Sequence, residues 1–425
     1  MVREQNWSNT CTYQAARLHR PTSIDQVRQI VANATKVHAI GARHSFSGVA
    51  DTTGDLIDVS NIRLEPAIDQ HQRTVTVGAG TRYGELAAFL QARGFALRNM
   101  ASLPHISIAG ATATGTHGSG DSNGNLATSV AALEIVAAGG DLVEIRQGER
   151  GFRGMVVGLG AFGVVTRVTL NVEPSFQMQQ DAFADLPWAE LLANFNAIMA
   201  AAYSVSLMTM WSETTVNRLW LKKRLIDGEP SHVTPTQFAA TPTARASPGA
   251  VNVDDSLTQF GAPGPWSERL CHFRRDCEPG PTAQIQSEYM LPRSQAIAAL
   301  TRLRAIAKRI DRYLIISEIR TVAADDLWLS PSYGHDTVAI HFTWKPDPIA
   351  ADAITAEIEA LLLPLGARPH WGKLMHARAE QIAPFYPRLP EFRKLADEYD
   401  PDRKFRNRFL VEHVFGSGGY AATSP

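Results

Sequence analysis

Apolar positions follow a mixed helix-and-strand pattern up to about residue 175 and a strand-dominated one after it. Ile24, Val27, Ile30 and Val31 form one helical stripe. Ser23 precedes it and Gln26 stands at capping-box spacing, so a helix is expected from Ser23 to near Thr35. Short strands follow at 37–40 and 56–59. Residues 74–78 alternate, with Val75 and Val77 on one face. A helix over 82–93 turns Leu86, Phe89 and Leu90 inward and ends at Gly94, a residue suited to the position after a helix end. Residues 126–138 and 141–145 read as a helical turn and a hairpin about Gly139 and Gly140, and 164–172 as an alternating strand.

After Pro174 the pattern consists of separate strands at 204–211, 218–222, 284–290, 313–321 and 336–344. Helices are expected at 295–310 and 351–363. A regular strand–helix alternation does not recur, which predicts an antiparallel sheet with helices against it. Residues 227–264 are rich in Pro, Thr, Ser and Ala and read as a long surface excursion. The end of the chain predicts a short helix, a turn at Pro401 and a basic, aromatic tail packing on the body, with fraying from His413 onward.

Composition narrows the function. The 425 residues, 44% hydrophobic and 20% charged, suit two domains or one large one. A net charge of -1 and a pI near 6.9 argue against nucleic acid or an anionic membrane as the main partner. Cys11, Cys271 and Cys277 give neither a disulfide framework nor zinc spacing and suit a reducing cytoplasm. No signal peptide is expected from the first residues, and no run approaches the ~18 apolar residues of a membrane span.

The stretch 99–120, NMASLPHISIAGATATGTHGSG, has neither a helical nor an alternating apolar period. Its small residues expose backbone N–H groups, which predicts a concave nest for an anion such as a phosphate. The hydroxyls of Thr112, Thr114, Thr116 and Ser119 would add donors. A Gly-rich surface loop is the alternative; Ile106 and Ile108 favour a buried, ligand-holding loop. Residues 158–163 match G-x-G-x-x-G, but a strand follows where the dinucleotide fingerprint needs a helix, so a nicotinamide Rossmann domain is rejected. Glu318 and Arg320 lie two apart, on one face of a strand. Burying them unpaired is costly, so they form either a structural ion pair or a polar floor for a hydroxylated ligand. His341 and Thr343 share a face of the next strand. His370 and Lys373 bracket Trp371, where the lysine either approaches a ligand or is a solvated loop residue. His44 sits in the loop GARHSFSG.

RHSFS at 43–47, the whole of 99–120, EIRTVAAD at 318–325, HFTW at 341–344, RPHWGK at 368–373 and the DP–F–N tail together resemble the FAD-linked oxidases of the vanillyl-alcohol oxidase type. Within them the chain most resembles the alditol (xylitol, sorbitol) oxidases, kin of the sugar-1,4-lactone oxidases. The resemblance covers essentially the whole chain. It implies an α+β, two-domain fold of the vanillyl-alcohol oxidase or PCMH type. Residues 1–175, completed by 376–425, would bind FAD, and 176–375 would form a cap on a large antiparallel sheet.

The same resemblance implies FAD joined covalently to His44. Gly41, Ala42, Arg43, Ser45, Ser102, Ser107, Gly110, Thr112, Gly115, Thr116, His117, Gly118, Val165 and His370 would surround the cofactor, with 110–120 at its pyrophosphate. Ser102, Glu318, Arg320, Thr343 and Lys373 would bind the polyol, with Lys373, Arg320 and Glu318 carrying the chemistry. Ala101 would govern the approach of oxygen. The implied reaction oxidises a terminal hydroxyl to the aldose and reduces oxygen to hydrogen peroxide; a sugar-1,4-lactone oxidase or dehydrogenase of the same fold is the alternative. Polyol and oxygen are the expected partners, with no metal, nucleic acid or membrane, for a cytoplasmic monomer. Many relatives carry Gly before the histidine; here the pair is Ala42 and Arg43.

Overall fold

Ser23 accepts the Gln26 amide at 3.3 Å and starts the helix Ile24–Asn33. Gln26 turns its own side chain to Thr22 N at 2.8 Å, so the cap is shifted by one residue from the expected box. The structure, a computed structural model, describes residues 4–62, 64–211, 213–225, 235–246, 254–277 and 283–416. Val37–Ile40 and Asp55–Asp58 pair in parallel, and Arg17–His19, not expected from its pattern, adds the third strand. A second, antiparallel sheet runs Ala67–Asp69, Thr74–Gly78, Val164–Asn171, Val130–Val136, Leu142–Arg146. Tyr83–Gln91 packs Leu86 and Leu90 into the core beside it. Gly160, with φ 76, lies against His38, where a Cβ would come within 2.4 Å of the ring; the second and third glycines of G-x-G-x-x-G thus serve close packing, and a strand follows.

The third sheet carries nine strands among the described residues, its main path starting Thr241–Pro242, Gln177–Pro187, Thr215–Leu225, Ser204–Thr209 and continuing Leu314–Val322, Thr337–Trp344, Ile285–Pro292, Arg368–Pro369. Every pairing in it is antiparallel. Its two faces differ. Val338, Ile340 and Phe342 of one strand point to the helices Ala296–Ala305 and Pro348–Leu362 and are fully buried. Trp188, Trp211, Phe342 and Trp344 stack in sequence there, at centroid distances of 5.5, 5.9 and 5.1 Å. The alternate positions, His341 and Thr343, face the other way.

Several expectations change. Gln177–Pro187 and the helix Trp188–Met199 were not expected: the strand's mixed polar run hides its alternation, and the helix follows Pro187 directly and is kinked within at Asn194. The single helix at 295–310 is two, Ala296–Ala305 and Ala307–Tyr313, broken at Ile306. The segment 99–120 contains a short helix, Ile108–Ala113, where no helical period was expected. His413, Val414 and Phe415 are buried and helical, not frayed; residues 417–425 lie outside the described residues, as do 227–234 and 247–253 of the excursion.

The C-terminal segment closes the N-terminal sheets. Lys404 Nζ donates to Val31 O and Ala138 O, each at 2.7 Å, and Val37 N donates to Lys404 O at 3.0 Å. Asn407 donates to Val49 O and Asp51 O at 2.9 and 2.8 Å. Lys404→Ala removes two charge-assisted bonds and leaves buried carbonyls unmet, so a stability loss of about 2–4 kcal/mol is expected, read as a lower thermal unfolding midpoint.

Candidate active site

Strand register assembles the polar face. Glu288, His341 and Glu318 lie opposite one another on three adjacent strands, and Gln286 pairs with Thr343 in the next row. Glu288, 1% exposed, is the centre. Its Oε1 meets His117 Nε2 and Arg320 Nη2, both at 3.1 Å, and its Oε2 lies 3.5 Å from Lys373 Nζ and 3.6 Å from His341 Nδ1. Burial would raise its pKa, but Lys373 and His117 hold it well below the usual carboxylate range. Lys373 also donates to Gln286 at 2.7 Å and meets His341 Nδ1 at 3.1 Å, while His341 Nε2 meets Thr343 Oγ1 at 3.0 Å. Burial lowers the Lys373 pKa, and Glu288 opposes that shift. Burial also pushes His341 down to about 4 and His370 down to about 3.

Arg320 Nη1 donates to Ser102 Oγ at 3.2 Å. Its Nε faces Glu318 Oε1 at 3.6 Å, and neither atom has a hydrogen-bond partner among the described residues. Burial raises the Glu318 pKa, but Arg320 and His272 bring it down to about 2. A loop clamps Ser102 from above: His272 N and Phe273 N donate to Ser102 O at 3.0 and 3.1 Å. Lys222, 1% exposed, fixes that loop by donating to the carbonyls of Arg269, Leu270 and Cys271 at 2.7–2.9 Å.

These side chains form one end of a cleft of ≈ 630 Å³. It continues past His44, Ser107 and Gly110 to Val165, Gly160 and His38. The wall between is built of small residues. A Cβ on Gly41 would stand 2.1 Å from Ser107 Oγ, so a side chain there would displace the wall.

The family model for a FAD binding domain matches residues 15–146, and that for D-arabinono-1,4-lactone oxidase matches 273–413. The alditol oxidase of Streptomyces sp. is 45% identical over 97% of this chain and 99% of its own length. The chain belongs to the alditol oxidase family of FAD-linked oxidases. The L-gulono-1,4-lactone dehydrogenase of Mycobacterium tuberculosis is 27% identical over 95% of this chain and 97% of its own. The crystal structure of cholesterol oxidase from B. sterolicum matches with a TM-score of 0.77 over 96% of each chain at 15% identity, which shows the shared α+β FAD-binding fold.

As a member of this family the chain uses FAD, and the long, small-walled cleft fits an extended dinucleotide. Gly41, Ala42, Arg43, His44, Ser45, Ser102, Ser107, Gly110, Thr116, His117, Val165 and His370 line it, as do Glu318, Arg320, Thr343, Lys373 and Ala101. Thr112, Gly115 and Gly118 stand behind the wall. Thr112 bonds back to Ile108 O at 3.0 Å, Gly115 packs on Pro331, and Gly118 on Asn99. From 110 to 118 only Gly115 has positive φ, following Thr114 at φ -104, so a left-handed turn occurs at one place in the stretch. Ile108 N and Ala109 N are already bonded to Thr81 O and Ala79 O, and Thr114 Oγ1 turns to Gly110 O at 2.9 Å. Small residues matter here because they let the wall approach a ligand closely.

Glu288, Gln286 and His272 were missed in the sequence, although the polar positions 284, 286 and 288 alternate along one strand face just as 318 and 320 do. Glu288→Gln keeps the shape and removes the charge that Arg320 and Lys373 share. A loss of about 3–5 kcal/mol in holoenzyme stability is expected, with falling turnover. An unchanged unfolding midpoint would refute this role of the carboxylate.

Proposed function

We propose that the protein oxidises the terminal hydroxyl of alditols such as xylitol and sorbitol to the aldose, with oxygen reduced to hydrogen peroxide. The observation that carries this reading is the buried pair Glu318 Oε1 and Arg320 Nε, unmatched by hydrogen bonds among the described residues, on a cleft wall shared with Ser102, Thr343 and Lys373. Donors and acceptors interleave there as a chain of hydroxyls requires. A site built this way discriminates strongly against molecules lacking those hydroxyls. The full-length likeness to the Streptomyces alditol oxidase supports the same reading. A sugar-1,4-lactone oxidase or dehydrogenase is the second reading, favoured by the D-arabinono-1,4-lactone oxidase model over 273–413.

When bound, FAD would supply the two-electron acceptor between the alcohol and oxygen. The side chains do the rest. Arg320 and Lys373 grip the reacting hydroxyl, and their charge stabilises the developing alkoxide. Lys373 accepts the hydroxyl proton on Nζ, since burial makes its neutral form accessible. Glu318, Thr343 and Ser102 hold the remaining hydroxyls. His370 accepts Gly372 N on Nδ1 at 3.0 Å, which places its own proton on Nε2. It is therefore a neutral donor to the cofactor. Ala101 limits the approach of oxygen.

In this reading His44 carries the flavin covalently. Residues 1–175 with 376–425 form the FAD-binding domain, and 176–375 the cap. The enzyme is taken as a cytoplasmic monomer; the free cysteines Cys11, Cys271 and Cys277 suit that compartment. Among the described residues no helix is long and apolar enough to cross a membrane.

Peroxide formation from xylitol and sorbitol tests the reading; peroxide from L-gulono-1,4-lactone but not from alditols would overturn it. Lys373→Ala should keep its flavin and lose about 10²–10⁴-fold in turnover, measured as oxygen uptake. The rate should rise with pH and level off above the Lys373 pKa, which lies below the ordinary 10.5. Glu318 near 2 and His341 near 4 have finished titrating by pH 6, whereas Lys222, lowered by burial to about 7, still titrates there and holds the loop over Ser102, so the part of the limb that vanishes in Lys373→Ala is the one that belongs to Lys373.

A further inference from the structure

Residues 4–13 fold over the loop that carries His44, and the polyol chemistry makes no use of them. Asn6, 3% exposed, is the knot of this segment. Its side-chain oxygen accepts Thr10 N and Cys11 N, each at 2.9 Å, and its amide donates to Ser45 O at 2.9 Å. Trp7 N donates to Arg43 O at 2.8 Å. The segment therefore grips the main chain on both sides of His44. The Trp7 indole also lies against the imidazole, with centroids 5.2 Å apart and planes 20° apart. Both rings border the cleft.

The loop has a conformation that requires holding. Arg43 has φ 61, a left-handed value that glycine adopts freely and arginine rarely does. Arg43 Nη2 pairs with Asp58 at 2.7 Å, Arg43 Nη1 faces Glu4 at 3.5 Å, and Trp7 holds the carbonyl. Contacts from three directions thus impose a glycine-like turn on Arg43.

We infer that residues 4–11 are a strap that orients His44, with Trp7 the positioning residue for the bond between His44 and the flavin. The inference rests on the His44 attachment proposed above. That bond joins an imidazole nitrogen to a ring-methyl carbon. The N–H and C–H hydrogens leave as two protons, and the two electrons pass through the flavin to oxygen, which the oxidase reaction already consumes, giving one hydrogen peroxide. A ring stacked on a fixed indole keeps two orientations related by a half-turn, which raises the fraction of time a nitrogen is poised to attack.

The test measures flavin that stays with acid-precipitated holoenzyme, against total flavin bound before precipitation, in wild type, Trp7→Ala, Trp7→Phe and His44→Ala. Wild type should retain its flavin in the pellet and His44→Ala should release it. Trp7→Ala should bind near-normal total flavin but form acid-stable flavin at least fivefold more slowly after FAD is supplied, and Trp7→Phe should restore the rate. Trp7→Ala attaching flavin at the wild-type rate would overturn the strap while leaving His44 attachment intact. Trp7→Ala that binds no flavin would also overturn it, since the strap would then serve folding alone. Wild type releasing its flavin into acid, or His44→Ala retaining it, would overturn the attachment itself and the strap with it.

Discussion

One buried carboxylate imposes the arrangement of the polar face. Glu288 is nearly inaccessible, and removing a carboxylate from water costs several kcal/mol even after relaxation. At an effective dielectric near 20, an opposite charge about 3–3.6 Å away returns roughly 5 kcal/mol. One such partner barely offsets the cost of its own burial as well. Glu288 has Arg320 and Lys373 as charged partners and His117 and His341 as further polar neighbours, drawn from four separate segments of chain. The carboxylate is stable only where all of these segments meet, so the same interaction that permits its burial fixes the distance between Arg320 and Lys373.

The sheet makes that meeting rigid. Its helix-facing side is a continuous apolar layer, with the aromatic stack from Trp188 to Trp344 holding the strand Thr337–Trp344 in place. Packing at that density tolerates little displacement, so the alternate residues on the cleft side inherit fixed positions. The opposite wall is held by different means. Ser102 lies in an irregular segment, and it is positioned because Lys222 anchors the carbonyls of 269–271 and the next two amides bind the Ser102 carbonyl. A sheet register sets one side of the cleft and a chain of backbone hydrogen bonds sets the other.

The sequence made much of this legible where a short-range rule applies. The i, i+2 spacing places Glu318 and Arg320 on one strand face without reference to any neighbour, and capping and alternation locate most strands and helices of both halves. Glu288 was not legible in the same way. Its importance comes from standing opposite His341, which in turn stands opposite Glu318, and cross-strand register depends on sheet order, which local pattern does not contain. The short helix within 99–120 was not legible for another reason. Small residues permit left-handed turns, but they also permit a helix against a close neighbour, and bonds from Ile108 N to Thr81 O and Ala109 N to Ala79 O chose the helix. Arg43 inverts that case: a side chain ill suited to positive φ takes it because Asp58, Glu4 and Trp7 hold it there.

Charge balance links this architecture to the proposed chemistry. Two carboxylates, Glu288 and Glu318, oppose Arg320 and Lys373 in one cleft. With Lys373 protonated the four groups sum to zero, and with it neutral they sum to one negative charge. Burial favours the neutral amine, which the proposed proton acceptance needs, yet an amine made too weak a base would not hold the proton it receives. Glu288, 3.5 Å from Nζ, opposes the effect of burial. Passing a hydroxyl proton to Lys373 leaves the net charge of cleft and substrate unchanged, with the developing alkoxide matched by the Lys373 ammonium. A neutral polyol can enter and its neutral aldose leave without carrying net charge across a buried wall that holds Glu288, Glu318 and Arg320.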